Sequence, residues 1–156
     1  MNEKEFALRA ERLRARLYRC ALMYMGNEHD ALDALDEAVY KALRACRRLR
    51  QEEFFDTWMT RIVINQCRSQ LRRRRDVVSL DELDEEAAAE KFDALPLREA
   101  VRALPRELRD VVVLRYFSGY TLREAAEILE IPPGTAATRQ RRALELLRLE
   151  LEDKEV

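Results

Sequence analysis

The sequence predicts an all-α protein made of two small helical domains that an acidic linker joins. Three observations support this fold class. Apolar residues form 47% of the 156 residues and recur at intervals of three and four, as along one face of an amphipathic helix. Only 3 glycines and 4 prolines occur, which leaves little chain for the turns of a β-sandwich. Charge is also segregated along the chain, which indicates segments with different roles.

The distribution of charge predicts where the domains meet. Residues 1–76 carry 17 basic and 12 acidic side chains, and residues 94–156 carry 11 of each. Between them, residues 77–93 carry seven acids and a single lysine, a composition too polar to build a core. We therefore expect one domain over 1–76, an acidic linker over 77–93 and a second domain over 94–156.

Two amphipathic helices open the first domain. Apolar residues at helical spacing predict one helix over 6–24, which Gly26 and Asn27 should end, because glycine and asparagine readily adopt the left-handed conformation of a helix C-terminus. The same spacing predicts a second helix over 31–49. Helices joined by so short a turn should pack antiparallel.

A third helix should begin within residues 54–57 and run into the arginines at 72–75. Its expected core residues are Trp58, Ile62 and Leu71. Aromatic and aliphatic side chains at this spacing are more typical of core packing than of a ligand site.

One face of this third helix suits nucleic acid. Six arginines and no acid occur between residues 61 and 75. At about 100° per residue, a single face collects Arg61, Asn65, Arg68 and Arg72. Arginines at this spacing match phosphates, and an asparagine can donate to and accept from a base edge. A solvated helix end is the alternative interpretation, but the local excess of arginine favours DNA.

The second domain should consist of short helices separated by turns. Pro105 can start a helix that buries apolar residues within 111–117, and residues 118–120 should end it. Thr121 and Glu124 have the spacing of a capping box, in which each side chain satisfies a free backbone N–H at the start of the next helix.

A last helix completes a helix-turn-helix pattern. The turn at residues 131–134 precedes Thr135, which can cap a helix that reaches about Leu151. This helix should expose a face for the DNA major groove, formed by Thr138, Arg141 and Arg142. Its expected core residues are Leu144, Leu147 and Leu151.

The second helix of the first domain carries a cluster of acids instead, namely Asp30, Asp33, Asp36 and Glu37. Asp33 and Glu37 are like charges one turn apart, which is unfavourable in an isolated helix. Local stability therefore does not explain the cluster. Since it would repel DNA, a basic protein surface is the expected partner.

The residues that catalysis or metal binding requires are scarce. Cys20, Cys46 and Cys67 are widely spaced, and His29 is the single histidine, so no zinc site or disulfide framework is expected. No phosphate-binding glycine loop occurs. The chain also shows neither a stretch of about 20 apolar residues nor the apolar core of a signal peptide. We expect a cytoplasmic protein that is not an enzyme and holds no metal.

In two of its segments the chain resembles the extracytoplasmic-function sigma factors, the smallest bacterial sigma subunits. Region 2 of that family is similar to LYRCALMYMGNEHDALDALDEAVYKAL and FFDTWMTRIVINQCRSQLRRRR. Region 4 is similar to LPRELRDVVVLRYFSGYTLREAAEIL and PPGTAATRQRRALELLR. The order and spacing of these stretches carry the resemblance, which covers nearly the whole chain.

The resemblance implies a transcription initiation factor without a cofactor or small-molecule substrate, which binds core RNA polymerase through the β′ clamp coiled coil and the β flap. It also implies an anti-sigma factor as a partner. The implied polymerase contacts are Asp33, Asp36, Glu37 and Tyr40. For the −10 element they are Arg61, Asn65, Arg68 and Arg72, with the loop 49–57 holding one flipped base. For the −35 element they are Arg115, Thr121, Thr138, Arg139, Arg141 and Arg142.

The sequence is also consistent with two alternative functions. A dimeric helix-turn-helix regulator would explain residues 94–151 but not the arginines between 61 and 75. A polymerase-binding adaptor without promoter recognition would fit Ala137 and Gln140, where the family usually has a basic and an apolar residue.

Overall fold

The computed structural model describes residues 1–78 and 95–154. Every regular element in these two ranges is helical, which confirms the predicted all-α fold class. The chain divides into two compact units, Met1–Leu83 and Asp84–Val156. The predicted linker over 77–93 lies outside the described residues, apart from its first two residues, which continue a helix.

In its described part, residues 1–78, the first unit is a bundle of three α-helices that all pack against one another: α1 (Glu3–Met25), α2 (Glu28–Ala45) and α3 (Phe55–Val78). Gly26 ends α1 with φ of 91°, a left-handed conformation that costs glycine little. Asn27, expected to end α1, instead caps α2, because its side chain accepts a hydrogen bond from the Asp30 N–H at 2.8 Å.

The second helix is shorter than predicted. It ends at Ala45, and Cys46–Arg48 form a 3₁₀ turn before the chain becomes irregular at Leu49. Its buried face consists largely of alanines, which let α1 and α3 approach closely: Ala31, Ala34, Leu35, Ala38 and Ala42.

The buried face of α3 also differs from the predicted one. Trp58, Ile62 and Leu71 are only half-buried. The buried apolar positions are instead Phe55, Met59, Val63, Ile64 and Cys67. The predicted stripe is displaced by one residue, or about 100°, from the face that α1 and α2 cover. Trp58 packs at the margin, with its ring 5.8 Å from the ring of Phe55.

Within residues 95–154 the second unit contains four α-helices: α4 (Leu95–Ala103), α5 (Arg106–Val112), α6 (Leu122–Leu129) and α7 (Pro133–Lys154). A π-helical turn, Val113–Phe117, extends α5. The chain then reverses at Gly119, whose φ of 75° is left-handed. The predicted capping box of α6 is present, since the Thr121 hydroxyl accepts from Glu124 N–H and the Glu124 carboxylate accepts from Thr121 N–H.

Two predictions for α7 are wrong. Thr135 does not cap it, because the helix already begins at Pro133 and the Ala136 N–H bonds to the Pro132 carbonyl at 3.1 Å. Proline suits the first helical position, where its missing N–H would have no helical partner. Leu144 was expected in the core but is 41% exposed, whereas Ala136, Ala143 and Leu147 are buried.

The three cysteines are buried as free thiols in the first unit. Burial, reinforced by the nearby Cys20, raises the pKa of Cys67. A raised pKa in the folded state stabilises the protein below the unfolded thiol pKa of about 8.5, and this contribution is lost as pH rises beyond it.

We therefore expect the free energy of unfolding of the first unit to fall more steeply with pH above about 8.5 in the wild type than in Cys67→Ala. The difference should approach about 1 kcal/mol per pH unit. Urea titrations followed by the fluorescence of Trp58, the single tryptophan, would report this unit specifically. Identical pH slopes in the two proteins would contradict the expectation.

Candidate protein and nucleic-acid interfaces

The outward face of α2 carries the predicted acidic cluster. Asp33, Asp36 and Glu37 are exposed, and Tyr40 beside them is 55% exposed. These side chains lie on the opposite side of α2 from the alanine-rich face. Because the alanine-rich face is buried against α1 and α3, the acidic side chains point toward solvent. Arg44 lies with its guanidinium 5.7 Å from the Tyr40 ring centroid, within the range of a cation–π contact. The face can bind a basic surface and offers an ordered aromatic ring at one end.

The α3 face presents the predicted DNA-facing residues on successive turns of one continuous helix. Asn65 and Arg72 are exposed, while Arg61 and Arg68 are half-buried. Arg61 and Arg68 also interact with other groups of the protein. Half-burial of the arginine stems leaves fewer rotamers to be lost when phosphate binds.

Asp30 does not belong to the acidic face, although the sequence grouped it there. Its carboxylate forms an ion pair with Arg74 of α3 and accepts a hydrogen bond from the Asn27 side chain at 2.7 Å. A second polar contact, from Lys41 Nζ to Gln66 Oε1 at 2.5 Å, joins the same two helices farther along. Arg74 is therefore held by a carboxylate of α2, on the opposite side of α3 from Asn65.

Replacement of Asp30 by asparagine should release Arg74 toward phosphate. We expect roughly fivefold tighter non-specific DNA binding at low salt, with a salt dependence steeper by about one phosphate contact. Fluorescence anisotropy with a duplex of unrelated sequence would measure both quantities. Asp36→Asn makes the same charge change on the exposed face and is the matched control. Equal effects of the two substitutions would contradict a specific role for the Asp30–Arg74 pair.

Three carboxylate and imidazole groups also lie close together at the start of α2. His29, Asp30 and Asp33 can bring one ligand atom each within 4.8 Å of the others. Asp30 is already engaged by Asn27 and Arg74, and the imidazole of His29 lies 3.5 Å from Asp33. The arrangement is that of an exposed polar cluster with internal partners.

The segment between α2 and α3 is partly ordered by a short turn. Residues 49–51 are irregular, and Glu52–Phe54 form a 3₁₀ turn that leads directly into α3. The predicted base-holding loop extended to Thr57, but residues 55–57 already belong to the first turn of α3. Phe54 is 46% exposed, so the segment offers an aromatic ring to solvent.

The N-terminal half of α7 exposes the predicted groove-facing residues together. Thr138, Arg141 and Arg142 are exposed, and the buried Ala136 and Ala143 fix this orientation. The Thr138 hydroxyl donates to the Gly134 carbonyl at 3.0 Å, which leaves its oxygen able to accept. These side chains form a surface suited to base edges and phosphates.

The remaining predicted −35 residues have partners within the second unit. Arg139 is half-buried and lies 4.0 Å from the Glu107 carboxylate. Arg115 donates to the Tyr120 carbonyl at 3.4 Å, and Thr121 takes part in the capping box. All three contribute to local structure.

No helix within residues 1–78 and 95–154 combines the length and apolar character needed to cross a membrane.

Sequence comparison identifies both units. The family model for sigma-70 region 2 matches residues 10–77, and the model for sigma-70 region 4 matches residues 94–147. The chain is 31% identical to RNA polymerase sigma factor SigV of Bacillus subtilis over 138 residues, which cover 86% of this chain and 83% of SigV. It is 30% identical to the ECF RNA polymerase sigma-E factor of Escherichia coli over 137 residues, covering 76% and 72% of the two chains.

Solved structures share the fold. The sigma factor RpoE of Bartonella quintana, crystallised with the anti-sigma factor NepR, matches with a TM-score of 0.77 at 23% identity, over 96% of this chain and 98% of RpoE. CnrH, in complex with the cytosolic domain of CnrY, gives 0.75 at 22% identity, over 97% and 90% of the two chains. These likenesses confirm the architecture of the helical units.

The region 2 match identifies the first unit as a sigma region 2, which a simple helix-turn-helix regulator does not account for. The resemblance predicted from the sequence is confirmed by both family models and by the curated relatives. The chain belongs to the extracytoplasmic-function sigma factors, a family of transcription initiation factors that direct RNA polymerase to promoters and are not known as enzymes.

Proposed function

We propose that this protein acts in the cytoplasm, where it binds core RNA polymerase through α2, opens the −10 element with α3 and reads the −35 element with α7. The observation that carries the proposal is the separation of charge within the first unit. The exposed acidic face of α2 and the partly exposed basic face of α3 belong to the same three-helix bundle, so one unit can bind protein and DNA at once.

The acidic face of α2 would bind the β′ clamp coiled coil. Asp33 and Glu37 lie one turn apart and point outward, with Asp36 and Tyr40 beside them. Basic side chains of a partner would offset the repulsion between these carboxylates. Binding would therefore be favoured both by the attraction between opposite charges and by the reduced repulsion within α2.

The basic face of α3 would follow the non-template strand of the −10 element. Arg61, Arg68 and Arg72 supply phosphate contacts, and Asn65 supplies a group able to read a base. Unpairing a base costs a few kcal/mol, and its capture in a pocket formed with the segment 49–54 offsets that cost.

The exposed face of α7 would read the −35 element. Arg141 and Arg142 can each contact guanine or phosphate, and Thr138 a base edge. Arg115, Thr121 and Arg139 would position the unit on the DNA backbone, since backbone N–H groups, hydroxyls and partly paired arginines serve this role in many complexes. Region 4 would also contact the β flap.

Both DNA-binding surfaces are small, so each should bind weakly alone. We infer domain boundaries at 1–76 and 94–156 with the acidic linker 77–93 between them; the sequence matches at 10–77 and 94–147 support these limits. Once both domains are held on polymerase, the second contact forms at a high effective concentration. The protein itself would supply no catalytic residue, metal or cofactor, because phosphoryl transfer belongs to the polymerase.

An anti-sigma factor is a further proposed partner. Two sigma factors with the same fold, RpoE and CnrH, form complexes with NepR and with the cytosolic domain of CnrY. A protein that covered the acidic face of α2 or the exposed face of α7 would keep this chain from polymerase or promoter.

Capture of genomic DNA tests the proposal. The tagged protein, with and without bacterial core polymerase, would be mixed with sheared genomic fragments, and the retained fragments sequenced. We expect fragments sharing two short elements at fixed spacing to be enriched only when core is present. Strong, sequence-specific enrichment by the protein alone would contradict the proposed division of binding between the two domains and would favour an independent DNA-binding regulator.

A further inference from the structure

The segment between α2 and α3 has little internal structure to hold its shape. Its described backbone hydrogen bonds include one from Leu49 N–H to the Cys46 carbonyl at 3.2 Å and one from Phe54 N–H to the Gln51 carbonyl at 3.1 Å. Residues 49–51 form no regular element. A segment of this kind keeps one conformation only if side chains from neighbouring helices bind it.

Arg9 of α1 supplies such an anchor. Its guanidinium donates to the main-chain carbonyl of Glu52 at 2.7 Å and lies 3.5 Å from the Glu52 carboxylate. It also donates to Glu5 at 2.9 Å, one turn back along α1. The Arg9 side chain is only 32% exposed, so these contacts are partly shielded from water. One planar guanidinium thereby joins α1 to the middle of the segment.

The same arginine reaches the start of α3. Its guanidinium carbon lies 5.9 Å from the ring centroid of Phe55, the first residue of that helix. Phe55 is buried and packs edge to face against Phe6 of α1, with centroids 5.8 Å apart. Arg9 therefore covers the junction at which the irregular segment becomes the helix proposed to bind DNA.

We propose that Arg9 is a positioning residue that holds the segment 49–54 in the conformation that receives a base flipped from the −10 element. The inference rests on the proposed function of α3 and this segment. Arg9 need not touch DNA, because its contacts are with Glu52 and Phe55. A guanidinium is required for this role, since an ammonium is a point charge that cannot present the same planar fork to several acceptors.

Selection of single-stranded DNA by the holoenzyme tests this role. Holoenzyme assembled from core polymerase and the wild type, Arg9→Ala or Arg9→Lys would select from oligonucleotides randomised over a ten-nucleotide window. We expect the wild type to enrich bases at several positions, one of them the captured base. Both variants should lose about tenfold enrichment at that one position and keep the others, since stacking of a captured base accounts for an effect of this size.

Controls separate positioning from folding. Arg12→Ala removes an exposed arginine from the same helix and should select the wild-type sequence. Thermal unfolding and affinity for core would be measured for every variant, and a folding defect would lower enrichment at all positions alike. Arg9→Lys keeps the charge beside Glu5 and Glu52, so it is the variant expected to fold as the wild type does.

The possible outcomes separate the positioning role of Arg9 from the base capture by the segment 49–54 on which that role depends. If the wild type enriches no base at any position, the proposal that this segment captures a base is wrong. The proposed role of Arg9, which depends on base capture, is then wrong as well. If the wild type selects a sequence and both Arg9 variants select the same one with equal strength, base capture stands and the positioning role of Arg9 is wrong.

Discussion

Replacement of both Asp33 and Glu37 by lysine is expected to weaken binding to core RNA polymerase by about a thousandfold. Both side chains are exposed on the same face of α2, so the substitutions should leave the helical bundle intact. Close charge pairs across an interface contribute from about 1.5 to 7 kcal/mol, and reversal replaces attraction by repulsion. About 4 kcal/mol corresponds to three orders of magnitude in the dissociation constant.

Fluorescence polarisation of the labelled protein titrated with core polymerase would measure this loss at fixed ionic strength. The double variant Glu3→Lys/Glu11→Lys changes the net charge equally, through exposed acids on α1 of the same unit. It should bind core with nearly wild-type affinity. A comparable loss in both double variants would show that the polymerase responds to total charge, and the acidic face of α2 would no longer be its binding site.

Removal of both arginines from the exposed face of α7 should have the second-largest effect. Arg141→Ala/Arg142→Ala is expected to reduce transcription from promoters that depend on a −35 element by about a hundredfold. Each arginine that reads a base by two hydrogen bonds contributes about 1–3 kcal/mol of discrimination, so two together account for this factor. Binding to core should be unchanged, because both residues belong to the exposed face of α7 that is proposed to contact DNA and neither belongs to the acidic face of α2.

Transcription from one promoter and from derivatives with a scrambled −35 element would separate base reading from phosphate binding. If the arginines read bases, the double variant should transcribe the intact and scrambled promoters equally. If they bind phosphate only, transcription should fall on both templates and its salt dependence should weaken. Arg102→Ala removes an exposed arginine from α4 and serves as the control. Full activity of the double variant on the intact promoter would exclude α7 as the −35 reader.

Local signals in the sequence predicted most of the helices. The period of apolar residues located α1, α2 and α3, and the Thr121–Glu124 box fixed the start of α6 because both of its hydrogen bonds are made within four residues. The start of α7 was predicted wrongly because Pro132 and Pro133 are equally consistent with a turn and with a helix N-terminus. Only packing of Ala136 into the core decides between the two.

The prediction of which helix face is buried was less accurate for α3, which packs against two neighbouring helices. The spacing of Trp58 and Ile62 is helical, but a shift of one residue gives Met59 and Val63 the same spacing. The position of α1 and α2 around α3 decides which set is buried, and that position is a tertiary property. The same limit explains Leu144, which shares helical spacing with Leu147 and Leu151 yet lies at the edge of the buried face.

The candidate interfaces were predictable as faces, since residues three and four apart on one helix share a side. Contacts between distant segments were not. The sequence placed Asp30 among the exposed acids, whereas it pairs with Arg74 of another helix. The role of Arg9 was not predicted from the sequence. Its contact with Glu52 joins residues 43 positions apart, and such a contact produces no local sequence pattern.

Run-off transcription tests the central claim most directly. Bacterial core polymerase and fragmented genomic DNA would be incubated with and without this protein, and the 5′ ends of the transcripts mapped. We expect discrete new transcripts whose upstream regions share a pair of elements at fixed spacing. Co-elution with core but no new transcript would contradict promoter recognition and favour an adaptor, and neither binding nor transcription would contradict the role as an initiation factor.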